Sequence, residues 1–369
     1  MTPKPNTISN SSSSGSPTVP SNNCPQNDLP VKALDASTVT KDAKPDSPTM
    51  PKHTNTPLSN PFMERMLRIH QDLIATGLYL GENNVDYNIS DRVLWTHDPL
   101  AGGNTKTNIL VTKDSYNAYT EALEVAEETD DNVTIPALQL AKLSAVVTIS
   151  DDNFFLNPFA GYTAENWTSD ITKAARIKFR AVAPPARNIF SNDFPTVIAN
   201  VNKITRAAEE KKTIRTGFVE TVHGAGHGSM DIQQRLEFRH DLLRSTESHS
   251  HTGWLPAINI REEWPDINAV ANEKLDMLGS DWYMEPLHVR TKNGEKLLPN
   301  KYADLKNAVA KITFSLQHHA MGFGTRGPND SYAALVDEID IVKESVTVGL
   351  KREHTAGSDS GPSQKKFKV

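Results

Sequence analysis

The sequence predicts a mixed α+β protein dominated by an antiparallel sheet or partly closed β-barrel, with a few helices. Three observations lead there. Residues 176–182 alternate charged and apolar side chains up to Ala181, the period of a half-buried strand. Two long stretches, 308–316 and 332–342, read as strands joined by a glycine-rich segment at 321–330, the signature of a hairpin. Helical spacing is confined to a few segments, the clearest starting at Asn60 and Pro61.

Taken in order, residues 1–60 are rich in Ser, Pro, Thr and Asn. Prolines at this density forbid helix and central strand, and there is little to bury, so a disordered arm is expected. Asn60 then caps a helix whose first position is Pro61, with apolar residues spaced for one face over 62–74. Short strands are expected at 93–95 and 107–112, a helix at 114–128, and a buried strand within 138–149 that ends in the β-branched run Val146 to Ile149. Beyond 176–182, the β-branched segments 196–204 and 213–222 read as strands. Residues 230–243 read as a helix, with Ile232, Leu236 and Leu243 near one face. This gives four parts: the arm at 1–60, a mixed α/β segment at 61–150, a strand-rich domain at 151–346 and a basic tail at 347–369.

Composition narrows the function. The chain has 369 residues, a formal net charge of −6 and one cysteine, Cys24, in the polar arm. One thiol forms neither an internal disulfide nor a Cys-rich zinc site. No apolar run approaches the roughly 18 residues of a spanning helix, so no membrane partner is expected. Residues 1–14 lack the apolar core of a secretory signal. An anionic chain is no general polycation, so any contact with nucleic acid comes from a local patch.

Such a patch is present. On a strand over 176–182, Arg176, Lys178 and Arg180 share one face, and Ile177, Phe179 and Ala181 point into a core. Arg187, Lys203 and Arg215 follow in the same acid-poor region, with Phe190 and Phe194 among them. Lysine and arginine side chains neutralise phosphates and release counterions. Aromatic rings stack on bases, and the two together hold single strands without sequence readout. The competing reading is a solvated sheet face over core phenylalanines.

The order of the C-terminal segments, a turn at 292–295, a strand, a glycine-rich loop and a strand ending in Ile339-Asp340-Ile341-Val342, resembles the closing hairpin of OB-fold single-stranded nucleic-acid-binding proteins. The resemblance covers some 60 residues and rests on pattern. It implies an OB-like barrel whose strands and loops hold an oligonucleotide. The long insertions between strand groups depart from that family.

Other motifs carry less. His223 and His227 sit in a His-Gly-Ala-Gly-His-Gly run, but glycine flanks give no rigid ligand geometry and no third ligand has a fixed spacing, so no metal or other cofactor is assigned. His318 and His319 point to opposite faces of a strand and cannot share a metal. There is no Gly-x-Ser-x-Gly elbow, so no catalytic residue is assigned. The tail holds two basic clusters, Lys351 with Arg352 and Lys365, Lys366 with Lys368, separated by a Ser/Gly/Pro/Asp spacer. That arrangement resembles a bipartite nuclear-import signal, with an import carrier as partner and the nucleus as location. The combined expectation is a nuclear, non-enzymatic protein that binds single-stranded nucleic acid. The alternatives are a nuclear protein–protein scaffold and an enzyme with a dispersed site.

Overall fold

Asparagine before proline sets the first helix. In α1 (Pro61–Ala75) the Asn60 side chain accepts a hydrogen bond from the Phe62 amide at 3.1 Å, and Pro61 occupies the first turn, where its missing donor is not needed. Met66 and Leu73 turn inward and pack with Tyr79, Val146, Phe190, Val309 and Val342. The computed structural model describes residues 60–99, 107–129, 133–156, 171, 175–209, 215–223, 232–245, 269–278, 281–321 and 329–345.

The strands are β1 (Val93–His97), β2 (Thr107–Thr112), β3 (Leu143–Ile149), β4 (Arg176–Val182), β5 (Arg215–Gly217), β6 (Val219–His223), β7 (Ile232–Asp241), β8 (Leu243–Ser245), β9 (Trp282–Met284), β10 (His288–Arg290), β11 (Val309–Met321) and β12 (Asn329–Lys343). Three further helices are α2 (Lys113–Glu128), α3 (Phe194–Ala207) and α4 (Ala269–Asp276). No helix among the described residues is long and apolar enough to cross a membrane.

The pairing of the strands returns on itself. β3 pairs with β4, β4 with β7 and β12 with β11, and β11 pairs back to β3, all antiparallel. The link that closes the ring is parallel and short: Ala334 of β12 meets Phe238 of β7, and Leu335 meets Arg239. Strands β1 and β2 extend the sheet from β11, and β5, β6 and β10 attach to β12 and β7. Because β3 pairs with both β4 and β11, one sheet runs across the expected boundary at residue 150.

Alternation decides what lies inside the ring. Phe179 of β4, Phe238 of β7 and Phe314 of β11 point inward with Phe218, and all four are at most 1% exposed. Phe238 is the hub. Its ring centroid lies 5.4 Å from Phe179, 5.5 Å from Phe218 and 5.2 Å from Phe314, stacked or edge-on as ring quadrupoles favour. A second buried knot has His318 stacked on Tyr332 at 4.9 Å, with its Nε2 2.8 Å from Asp330 Oδ1.

Two sequence expectations fail, both from confusing periods. Residues 196–204 form part of helix α3. The residues it buries, Phe194, Val197, Ile198, Val201, Ile204 and Thr205, recur every three to four positions, and Pro195 sits in its first turn. The β-branched composition is real, but tertiary packing of a helical stripe overrides it. Conversely, 230–243 is not a helix, for Ile232–Asp241 forms β7, with Leu236, Phe238 and His240 buried on alternate positions. The spacing from Ile232 to Leu236 fits either period.

Phe238→Ala is expected to remove the hub of the aromatic core and destabilise the protein by about 3–5 kcal/mol. Urea unfolding followed by far-UV circular dichroism measures this as a lowered midpoint at unchanged slope.

Candidate nucleic-acid interface

The outward residues of β4 are Arg176, Lys178 and Arg180, because Ile177, Phe179 and Ala181 are fully buried on the other face. Register sets each beside a residue of β7: Arg176 opposite Asp241, Lys178 opposite Arg239 and Arg180 opposite Glu237. The three pairs differ in charge.

At one end, the Arg176 Nε lies 2.8 Å from Asp241 Oδ1. At the other end Arg180 is enclosed by acids. Its Nε is 2.9 Å from Glu220 Oε2 and 4.0 Å from Glu237 Oε2, and its Nη1 is 3.9 Å from Asp152 Oδ2. Arg235 joins the same network through Asp152. These arginines are already neutralised by the protein.

The middle row is not. Lys178 and Arg239 lie directly opposite one another, and among the described residues neither takes part in an ion pair. Like charges directly across a strand pair repel. Burial, the largest cause, and then the Arg176 charge pull the Arg239 pKa below its usual value, against Asp241 and Glu237. The guanidinium still stays charged. Its Nε is buried without a hydrogen-bond partner among the described residues.

An aromatic side chain completes the row. After β3 the chain bends back, and Phe155 forms a bridge with Lys178 through Phe155 N–H to Lys178 O at 2.8 Å and Lys178 N–H to Phe155 O at 3.0 Å. Phe155 is 45% exposed, whereas its neighbour Phe154 lies under the Lys306 ammonium at 5.0 Å. Cross-strand partners share a face. Phe155, Lys178, Arg239, Leu335 and Ser315 therefore form one continuous line over the outside of the ring.

The other expected site residues are placed elsewhere. Phe190 and Phe194, expected as stacking platforms, are instead core residues at 0% and 7% exposure. Phe190 packs beneath α1, and Phe194 sits on the apolar stripe of α3. Their apolar neighbours exclude any base. Lys203, on α3, donates to Asn88 Oδ1, and Arg215 is 3.0 Å from Glu209 Oε2. Arg187 is exposed on the connection after β4 and has no ion pair among the described residues, but it lies off the β4–β7 face. The tail lysines with Arg352, His227 and the 322–328 loop lie outside the described residues.

Sequence reasoning missed Arg239 and Phe155. Reading 230–243 as a helix removed Arg239 from the sheet, and Phe155 sits in an irregular connection with no period. A strand reading of 232–241 would have placed Arg235, Glu237, Arg239 and Asp241 on one charged face.

Two other polar clusters are structural. Tyr79 donates to Asp193 Oδ2 at 2.7 Å, and His70 Nε2 lies 3.2 Å from the same oxygen. Burial, then the Asp193 hydrogen bond and charge, push the Tyr79 pKa far up, so the phenol remains a donor that ties the segment after α1 to the N-cap of α3. His240 bridges the Val336 carbonyl at 3.1 Å and the Glu285 carbonyl at 2.8 Å. Among the described residues no three His, Cys, Asp or Glu side chains cluster as a metal site.

Comparison with protein-family profiles and with curated protein sequences finds no match. Solved structures give slight likenesses. The single-stranded DNA binding protein gp2.5 encoded by bacteriophage T7 aligns at 10% identity and TM-score 0.31, over 57% of this chain and 97% of its own. The single-stranded DNA-binding protein from bacteriophage Enc34 in complex with ssDNA aligns at 8% identity and TM-score 0.30, over 67% of this chain and 97% of its own. Likeness this slight assigns neither fold nor function.

His319 reports on the row. Burial first, then the Arg239 charge, then His318 hold its pKa below the usual 6.5. Because the unfolded chain then takes up the proton more readily, His319 destabilises the native state as pH falls below about 6.5. Arg239→Gln is expected to raise the His319 pKa, though not fully to 6.5, since burial remains. An NMR titration of the His319 ring protons checks this.

Proposed function

We propose that the protein binds single-stranded nucleic acid across the outer face of β4 and β7, with Lys178 and Arg239 neutralising phosphates and Phe155 stacking on a base. The observation that carries this is the Lys178–Arg239 pair: two cations in register, one of them partly desolvated, with no carboxylate in ion-pair contact among the described residues. A folded protein keeps such repulsion where a ligand relieves it, and a phosphate oxygen between the two side chains does so. An exposed ring beside the cations supplies the sequence-tolerant stacking that single strands offer and duplexes hide. Arg187 lies off this face and has no part in the proposed path. Arg176, Arg180 and Arg215 have a lesser part, because an acid already holds each of them.

The architecture supports an OB-like reading. In chain order the ring strands are β3, β4, β7, β11 and β12, and they pair in the sequence first, second, third, fifth, fourth and back to first. In OB barrels the face of the second and third strands binds oligonucleotides. Here that face is β4 and β7, and the first connection carries Phe155.

A nuclear location and an import carrier remain part of the proposal on the tail sequence alone, through Lys351, Arg352, Lys365, Lys366 and Lys368. A scaffold role finds one favourable observation: Leu67 and Ile74, two turns apart on α1, are 51% and 37% exposed. Indifference of the protein to every oligonucleotide would favour that second reading.

Lys178→Gln with Arg239→Gln is expected to weaken binding of a single strand and to reduce the slope of log K against log salt by about 1.4, from roughly 0.7 per phosphate contact. Phe155→Ala is expected to cost about 1–3 kcal/mol at every salt concentration without altering the slope. Fluorescence anisotropy across a salt series measures both. An affinity and slope equal to wild type in the double variant would remove the proposal.

A further inference from the structure

The line Phe155, Lys178, Arg239 ends at Leu335 and Ser315, and those two residues lie in a cleft of about 680 Å³. The cleft is lined by the segment around Pro136 and Ala137, by Tyr119 of α2, and by Arg244 and His288. Volume and a mostly apolar lining with a few polar groups are what a small-molecule-sized ligand needs.

The polar groups of the cleft are specific. Asp337, two residues beyond Leu335 on β12, holds Lys142 Nζ at 2.6 Å with its Oδ1. Its Oδ2 is buried and accepts no hydrogen bond among the described residues. A carboxylate oxygen only accepts, so the group it awaits is a donor. The Gln317 side-chain amide, on the neighbouring strand, faces the same space and offers a donor as well as an acceptor. Two other acids of the cleft are matched, Asp241 by Arg176 and Glu285 by Arg244 at 2.9 Å.

We propose that this cleft receives one unstacked base of the bound strand, and that Asp337 selects a base bearing an exocyclic amino group. The inference rests on the interface proposed above, since Lys178 and Arg239 hold the phosphates at the cleft's rim while the base turns inward. Cytosine offers its N4 amino group to Asp337 Oδ2 and its ring acceptors to Gln317. Thymine presents a carbonyl oxygen at the same position, which the carboxylate repels. Stacking on Phe155 does not distinguish the two pyrimidines, so any preference between them reads the cleft alone.

The test uses the full chain and three labelled strands of equal length in one buffer: oligo(dC), oligo(dT) and an abasic deoxyribose-phosphate strand. Wild type is expected to bind oligo(dC) about fivefold or more tighter than oligo(dT), the lower range for one discriminating base contact. Ala137→Trp, on an exposed wall residue, fills the cleft and is expected to bring that ratio to about one. Asp337→Asn is expected to do the same, because an amide turns either face to the base. A wild-type ratio of about one, or an undiminished ratio in both variants, overturns the inference and leaves the cleft to a partner of other chemistry. Equal weakening of the abasic strand and oligo(dC) by Ala137→Trp would place backbone in the cleft and overturn it too. Lys178→Gln with Arg239→Gln separates the two levels. If it binds all three strands like wild type, the interface itself fails; if it loses the abasic strand while the variants keep the ratio, only the cleft reading fails.

Discussion

The ring depends on its parallel contact. Only two residue pairs join β7 to β12, Phe238 with Ala334 and Arg239 with Leu335. A parallel contact of this length is weak by its backbone hydrogen bonds alone. Inward side chains hold it. Inside, Phe238 is the centre of the aromatic cluster. Beside it, His240 spans the carbonyls of Val336 and Glu285. The same pairing that buries Phe238 brings Arg239 against Leu335, because adjacent residues of a strand face opposite ways. Core and surface are thus set by one register, and a slip of one residue would bury an arginine and expose the aromatic hub.

That constraint explains the charge pattern outside. A strand locked in register cannot move a poorly placed cation away from its neighbour. Arg176 and Arg180 meet acids on β7 and β6, and the repulsion there is cancelled. Lys178 meets Arg239 at the position where closure leaves least freedom. Asp241 and Glu237 offset part of the Arg239 charge, but among the described residues neither cation forms an ion pair. A local conflict of this kind, in a sequence whose other levels agree, is the feature on which the proposed binding rests.

Much of this was legible in the residues. The 176–182 strand has the bounds its alternation predicted, and both strands of the final hairpin and the Asn60-Pro61 helix start fall close to where the pattern put them. The failures share a cause. Residues 194–207 are β-branched in composition but helical in period, and 232–241 offers only Ile232, Leu236 and Phe238 as apolar markers, too few to separate period 2 from 3.6. Local pattern also cannot show which strand becomes whose neighbour. The cationic face was foreseen from β4 alone, yet the distinction between paired Arg180 and unpaired Lys178 arises from β6 and β7. Phe190 and Phe194 looked available because nothing in the sequence shows that α1 and the sheet close over them.

An anionic protein can still hold an anionic polymer because distance and contact obey different scales. At physiological salt the Debye length is about 8 Å, so a net charge of −6 spread over the chain is largely screened before a strand arrives. The Lys178 and Arg239 charges act at contact, with one side desolvated, where screening is weakest. Lowering the salt lengthens the reach of the distant acids as well as of the two cations. The global repulsion therefore grows as the local attraction does, and the proposed binding rests on a few close contacts. On the proposed function, the strand is held by these close contacts at Lys178, Arg239 and Phe155.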